Sequence, residues 1–267
     1  GMTSYDEIYS YMERHVDNLK TNRVGDERQT EGEVFDKRTL MTLYEFMTSG
    51  IIDAVRYPIS TGKEGNVFYA EDPESGPLAL KIFRTSTSTF KRLSRYIEGD
   101  PRFRGVSGNR VKMIYAWTQK EFKNLQRYYE AGIPVPEPIA YEKNCLVEEF
   151  VGDETGPSPQ LKDVVLDDPT ETYDEVVSFI IDGWKDAHLV HGDLSEYNVL
   201  MSSEGPVLID CGQAMTIDYP GAKELLERDI RNVNRFFKFR GAEIIEPEII
   251  TKETLNTSSE EEEDEDT

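Results

Sequence analysis

Three polar residues stand out in the run LVHGDLSEYNVL: His191, Asp193 and Asn198, in the spacing H-x-D-x-x-x-x-N. That spacing suits phosphoryl transfer. A carboxylate at Asp193 can accept or orient a hydroxyl proton, while the amide oxygen of Asn198, five residues on, can meet a metal bound to ATP phosphates. Twelve residues after Asn198, the apolar run PVLIDCGQ ends in Asp210 and then Gly212, and a carboxylate there would hold Mg²⁺. A lone Asp on a loop is more often a turn or a helix cap. Two acids and an Asn at this joint spacing argue for a shared site instead.

Lys81 lies inside LALKIF, where an unpaired ammonium is costly to bury, so an acidic partner is expected. Glu121, in WTQKEFKNL, is the candidate, giving a pair that would orient the α- and β-phosphates; a surface position between Lys120 and Lys123 is the plain alternative. The stretch STGKEGNVFYA at 60–70 fails as a Walker A motif and as G-x-G-x-x-G. What remains is a small-residue turn around Gly62, Lys63 and Gly65, whose amides, with the hydroxyls of Ser60 or Thr61, can approach phosphate. Taken alone, it reads as a hairpin turn.

These groups need a scaffold, and the hydrophobic pattern supplies one. Residues 4–20 and 36–50 read as amphipathic helices, the second with Asp36 as N-cap and Gly50 as its stop, joined by a polar linker at 21–34. Strands are expected at 54–60, 65–70, 78–84, 138–142 and 144–150, with a long helix at 115–131. Beyond Gly152 the texture turns helical, strongest at 171–188 and 221–240 and shorter at 246–256. The expected fold is α+β and bilobal, like a protein kinase. It has an amino-terminal lobe of antiparallel sheet plus helix, a truncated and mostly helical carboxy-terminal lobe, and extra amino-terminal helices. The corresponding segments are 1–35 (helix and linker), 36–152, 153–256, and a disordered acidic tail at 257–267. A cleft between the lobes is where ATP is expected.

Composition limits the partners. Acidic residues number 52 against 30 basic ones, a net charge of −22, which argues against sequence-independent nucleic-acid binding by the whole surface. Residues 81–112 run the other way, with nine Lys and Arg against Glu98 and Asp100. They read as a mobile loop that meets ATP phosphates or rRNA, or as a solvated insertion. Thr85–Thr89 and Ser107 in that segment are candidate autophosphorylation sites. Cys145 and Cys211 read as reduced core thiols, and no 18-residue apolar run occurs, so a soluble cytoplasmic protein without a membrane partner is expected.

Together, STGKEGN, LVHGDLSEYN and IDCGQA resemble the RIO family of atypical serine/threonine protein kinases, specifically its first, Rio-one, branch, over about residues 36–245. The resemblance implies ATP with Mg²⁺ or Mn²⁺ as cofactor, and Ser/Thr phosphorylation or ATP hydrolysis, with Asp210 also an acceptor that becomes an aspartyl phosphate. It assigns Asp193 as proton acceptor, Asn198 and Asp210 as metal ligands, Lys81 as phosphate contact, and the backbone of Glu149 and Val151 as adenine hinge. Glu148 stands at the gatekeeper place, where a bulky apolar residue is usual. It further implies a role in maturation of the small ribosomal subunit.

Only 55 residues follow Gly212 and no A-P-E motif appears, so the platform on which ordinary kinases hold peptides is expected to be missing. An ATPase-like switch acting on a large partner therefore competes with kinase activity toward free proteins. The rival from another substrate class is a small-molecule kinase of the aminoglycoside or choline type. Such enzymes share HGDL-x-x-x-N but need a larger helical insert around their acceptor.

Overall fold

The computed structural model describes residues 3–19, 34–97, 100–103, 105 and 108–265, with side chains through residue 256. Contacts divide the chain into two units. The first takes in the described residues up to Phe122 together with Glu137–Phe150; the second takes in Lys123–Pro136 and the described residues from Val151 onward.

In the first unit, Ser4 caps α1 (Tyr5–His15) by accepting the Glu7 amide, and Ile8 and Met12 form its buried face. The chain then meets the sheet: Val16 bridges Val55, and the Asp17 N–H donates to the Val55 carbonyl at 2.9 Å. Most of the linker expected at 21–34 lies outside the described residues. Asp36 accepts the Thr39 N–H at 2.8 Å and starts α2 (Lys37–Thr48), which stops before Gly50, at φ +82°.

A five-stranded antiparallel sheet follows, in the order β1-β2-β3-β5-β4, from β1 (Ala54–Thr61), β2 (Gly65–Asp72), β3 (Gly76–Phe83), β4 (Pro138–Glu142) and β5 (Cys145–Glu149). The two-residue period sends Phe68, Ala70, Leu78, Leu80, Ile82 and Val147 into a core shared with α1 and α2. Lys81 and Ala79 therefore face the other way, with Glu148 opposite Ala79 in the register.

Part of the basic segment is helical. Thr87–Ile97 forms α3, and its buried Thr89, Leu93 and Ile97 recur at four-residue spacing. Leu93 and Ile97 join Phe83, Phe103, Met113, Ile114 and Trp117 in a second apolar cluster. Counting charges obscured that spacing. Lys91 and Arg95 remain exposed, whereas Thr89 is buried with its hydroxyl 3.0 Å from that of Ser86. Arg104 and Ser107 lie outside the described residues.

The next helix, α4 (Arg110–Glu130), carries a buried lysine beneath this cluster. Lys120 is 2% exposed, pairs with Asp100 at 3.4 Å, and lies 5.0 Å from the Trp117 ring centroid. Burial pulls its ammonium down to about 8, helped by Arg102 and opposed by Asp100 and Glu121. Burial alone would raise the Asp100 carboxyl, yet hydrogen bonds from Arg102 and the charges of Arg102 and Lys120 hold it below the usual range.

Because the folded value of Lys120 lies below the unfolded one of about 10.4, the unfolded chain keeps the proton longer, and stability should rise with pH between these values. The gain is about 3 kcal/mol at most. Chemical denaturation across this range should show the rise in the wild type and lose it in Lys120→Met. Parallel curves would refute the assignment.

In the second unit, Leu125 and Tyr128 of α4 pack with α5 (Pro169–Lys185) and α6 (Ala222–Phe239). Ile250 of α7 (Pro247–Glu265) joins the same core. That last helix extends into the acidic run expected to be disordered; glutamate is a good intrinsic helix former. The small strands β6 (Gly152–Asp153) and β7 (Gly156–Pro157) form one hairpin. β9 (Val199–Ser202) and β10 (Gly205–Leu208) form another, and β8 (Leu189–Val190) pairs with β11 (Met215–Thr216). Trp117, Trp184 and both cysteines are buried, the cysteines as free thiols. Among the described residues no helix is long and apolar enough to cross a membrane.

Candidate active site

The first unit pairs two of the expected residues. Lys81 Nζ donates to Glu121 Oε1 at 2.9 Å, with side chains 12% and 7% exposed, so the ion pair is sheltered from water and salt. Glu121 is thus not a surface residue. Val67 sits opposite Lys81 in the β2–β3 register, which leads back to the turn between β1 and β2. That turn closes by a Gly62 N–H to Gly65 carbonyl bond of 2.8 Å, and Ser60, Thr61, Gly62 and Lys63 are all exposed on it. Gly65 is required by close approach: a β-carbon there would stand 2.2 Å from the Ile82 carbonyl oxygen. Glu149, the first of the two hinge candidates, ends β5 with its N–H donated to the Glu137 carbonyl at 2.9 Å.

The second unit assembles a set of its own from a loop and a hairpin end. β8 delivers His191, Gly192 and Asp193, and β9 begins just after Asn198. The β9–β10 register continues one step beyond the strands, with the Ile209 N–H on the Asn198 carbonyl at 2.8 Å. Asn198 and Asp210 therefore stand at the same end of this hairpin. The Ser195 hydroxyl donates to Asn198 Oδ1 at 2.9 Å and fixes which way that amide points. Amide and carboxylate oxygens are the hard donors that Mg²⁺ takes, so the set fits such an ion. Val151 is half-buried, and its carbonyl accepts the Ser158 N–H at 3.0 Å.

His191 braces this loop. It is 4% exposed, Nδ1 accepts the Asp193 N–H at 3.3 Å, and Nε2 lies 3.4 Å from the Ile209 carbonyl, which calls for a proton on Nε2.

Reading the sequence missed Asp229 of α6, the strongest anchor of the loop. Its carboxylate accepts the N–H groups of Gly192 at 2.7 Å and Leu194 at 3.0 Å, the two neighbours of Asp193. Arg228 donates to the Gly192 carbonyl. Burial pushes the Asp229 carboxyl up, against the opposing pull of His191, the two amides and Arg228. A signal existed: Asp229 interrupts the buried stripe Leu226, Ile230, Val233, Phe237, where an acid needs a reason to be. Asn124 and Gln213, which grip the loop after Asp210, were likewise not singled out.

An antiparallel sheet with a Lys–Glu pair, followed by a helical unit carrying an Asp–Asn loop and a later aspartate, is a kinase-like α+β fold. The RIO domain model matches residues 66–250, and the chain belongs to the RIO family of serine/threonine protein kinases. It is 41% identical to the RIO-type serine/threonine-protein kinase Rio1 of Haloferax volcanii, over 89% of this chain and 82% of that one. It is also 41% identical to the human serine/threonine-protein kinase RIO1, over 79% of this chain but 38% of the human protein. Among solved structures it resembles the Rio2 kinase of Chaetomium thermophilum in an ADP/Mg²⁺–phosphoaspartate complex. That match has a TM-score of 0.61 and 24% identity, covering 80% of this chain and 65% of the other. These relatives are protein kinases rather than the small-molecule kinases weighed as the rival.

Proposed function

We propose that this kinase works as an ATP-driven switch that also phosphorylates Ser or Thr, acting in the cytoplasm on a precursor of the small ribosomal subunit. The observation that carries the chemistry is the hairpin end that brings Asn198 and Asp210 together beside the loop of Asp193. In this reading Lys81, oriented by Glu121, contacts the ATP phosphates, and the exposed turn at Ser60–Lys63 offers amides and hydroxyls to them. The backbone of Glu149 and Val151 receives the adenine. Asn198 and Asp210 hold Mg²⁺, or Mn²⁺, which neutralises charge on the phosphates when bound.

Asp193 accepts the proton of an attacking hydroxyl. In the switch cycle a carboxylate oxygen of Asp210 forms a bond to the γ-phosphorus as the bond to the bridging β–γ oxygen breaks. ADP leaves with that electron pair, and water later hydrolyses the acyl phosphate. The phosphoaspartate named for the Chaetomium Rio2 complex supports this route. The exposed bases of α3 and the Arg110–Lys112 start of α4, on a chain of net charge −22, support an RNA-containing partner. Two buried free thiols suit a reducing compartment.

Incubation with γ-labelled ATP and Mg²⁺, scoring protein-bound label and free phosphate separately, tests the scheme. The wild type should give phosphate and a hydroxylamine-sensitive adduct, both lost in Asp210→Ala, and small-subunit particles should speed phosphate release. Label found only as acid-stable phosphoserine or phosphothreonine would reject the acyl-phosphate cycle. Indifference to the particles would reject the ribosomal partner.

A further inference from the structure

Asp210 is held in a conformation that its own side chain disfavours. Its φ is +57°, in the left-handed region. An L residue there is strained and persists only where its surroundings hold it. Two carboxamides from outside the residue supply that constraint. Gln213 Nε2 donates to the Asp210 carbonyl at 2.7 Å, and the same nitrogen lies 3.0 Å from the ring nitrogens of His191. Asn124, on α4 and 0% exposed, donates through Nδ2 to the carbonyls of Cys211 at 2.9 Å and Ala214 at 3.1 Å. A backbone bond from the Ala214 N–H to the Cys211 carbonyl, 3.2 Å, closes the turn between them.

Three carbonyls within five residues are therefore gripped by two primary amides, and the first of the three is that of Asp210. The chemistry of the grip matters. Each carbonyl needs a donor, which a carboxylate lacks. A Lys or Arg would supply one only by setting a positive charge beside the Asp210 carboxylate, where it would compete with a cation. A neutral amide donates without altering the charge of the site. Gln213 also touches His191, whose Nδ1 receives the Asp193 N–H, so one side chain keeps the loops of Asp193 and Asp210 in register.

We propose that Asn124 and Gln213 are positioning residues that fix the direction in which Asp210 presents its carboxylate to a divalent cation. The inference rests on the reading of Asp210 as a metal ligand. It concerns residues whose own hydrogen bonds go to backbone carbonyls and to His191.

The test titrates Mg²⁺ at saturating ATP for the full-length wild type, Gln213→Met, Asn124→Leu and Asp210→Asn, together with hydrogen exchange at the amides of 211–214 without metal. Loss of an outer hydrogen bond to a ligand typically weakens metal binding about 10- to 100-fold. Gln213→Met should raise the half-saturating Mg²⁺ about that much, with the ATP KM within about twofold, and should speed exchange at 211–214. Asn124 is wholly buried, so Gln213→Met, at a half-buried position, decides the matter if Asn124→Leu melts early. An unchanged Mg²⁺ requirement in folded Gln213→Met, beside an inactive Asp210→Asn, overturns the positioning role alone. Wild-type turnover and Mg²⁺ dependence in Asp210→Asn overturns the ligand reading, and this inference with it.

Discussion

Asp193→Asn is expected to lower the rate of phosphoryl transfer by about 10²- to 10⁴-fold while ATP binds as in the wild type. The substitution keeps shape and removes basicity. Asp193 is exposed at the head of its loop, and the backbone on both sides is tied down: Gly192 sits at φ +83°, and the flanking N–H groups end on Asp229. A group fixed this way at the backbone, with its carboxylate exposed, suits proton transfer better than a structural role. An Asn in its place retains a hydrogen-bond acceptor but cannot take up a proton at neutral pH. Equilibrium binding of a fluorescent ATP analogue, set beside single-turnover rates, separates the two effects. A variant that turns over within about threefold of the wild type would exclude Asp193 as the proton acceptor.

The second large effect is expected from Asp229→Ala, which acts through the backbone on either side of Asp193. Removing the carboxylate leaves two buried N–H donors without their acceptor and strands Arg228 beside the Gly192 carbonyl. Each orphaned buried donor costs about 1–3 kcal/mol, so a loss of about 3 kcal/mol or more is expected, or about 10 °C in melting temperature. Below that temperature the released loop should let Asp193 wander, and a misplacement of about 1 Å costs on the order of 10²-fold in rate. Asp229→Asn restores one acceptor but turns an N–H₂ toward the other donor, so it should fall between wild type and Ala. Calorimetry and turnover on the three proteins check this order. A wild-type melting temperature in Asp229→Ala would remove the anchor from the account.

The placing of Asn198 and Asp210 at one hairpin end was legible in the sequence because their spacing is local: a strand, a short loop and a hairpin register fix where they fall. The Lys81 pairing was legible for an energetic reason, since a lysine inside LALKIF must find an acid, and Glu121 does stand 2.9 Å away. The α2 cap and stop followed from Asp36 and Gly50, whose chemistry acts over a few residues. The basic segment was misread because its nine charges drew more attention than the helical spacing of Thr89, Leu93 and Ile97, which packs against residues up to about two turns into α4. The buried Lys120 was hidden because Phe103 and Asp100 stand beside it only in three dimensions.

Sequence alone thus determined the candidate residues and the local elements that carry them. Tertiary structure alone decided what holds them still. Asp229 reaches the loop from 35 and 37 residues away, and Asn124 reaches the turn after Asp210 from 87 and 90 residues away. A hydrogen bond across such a distance leaves no periodic trace in the chain; its one mark is a polar residue on a face that packing requires to be apolar.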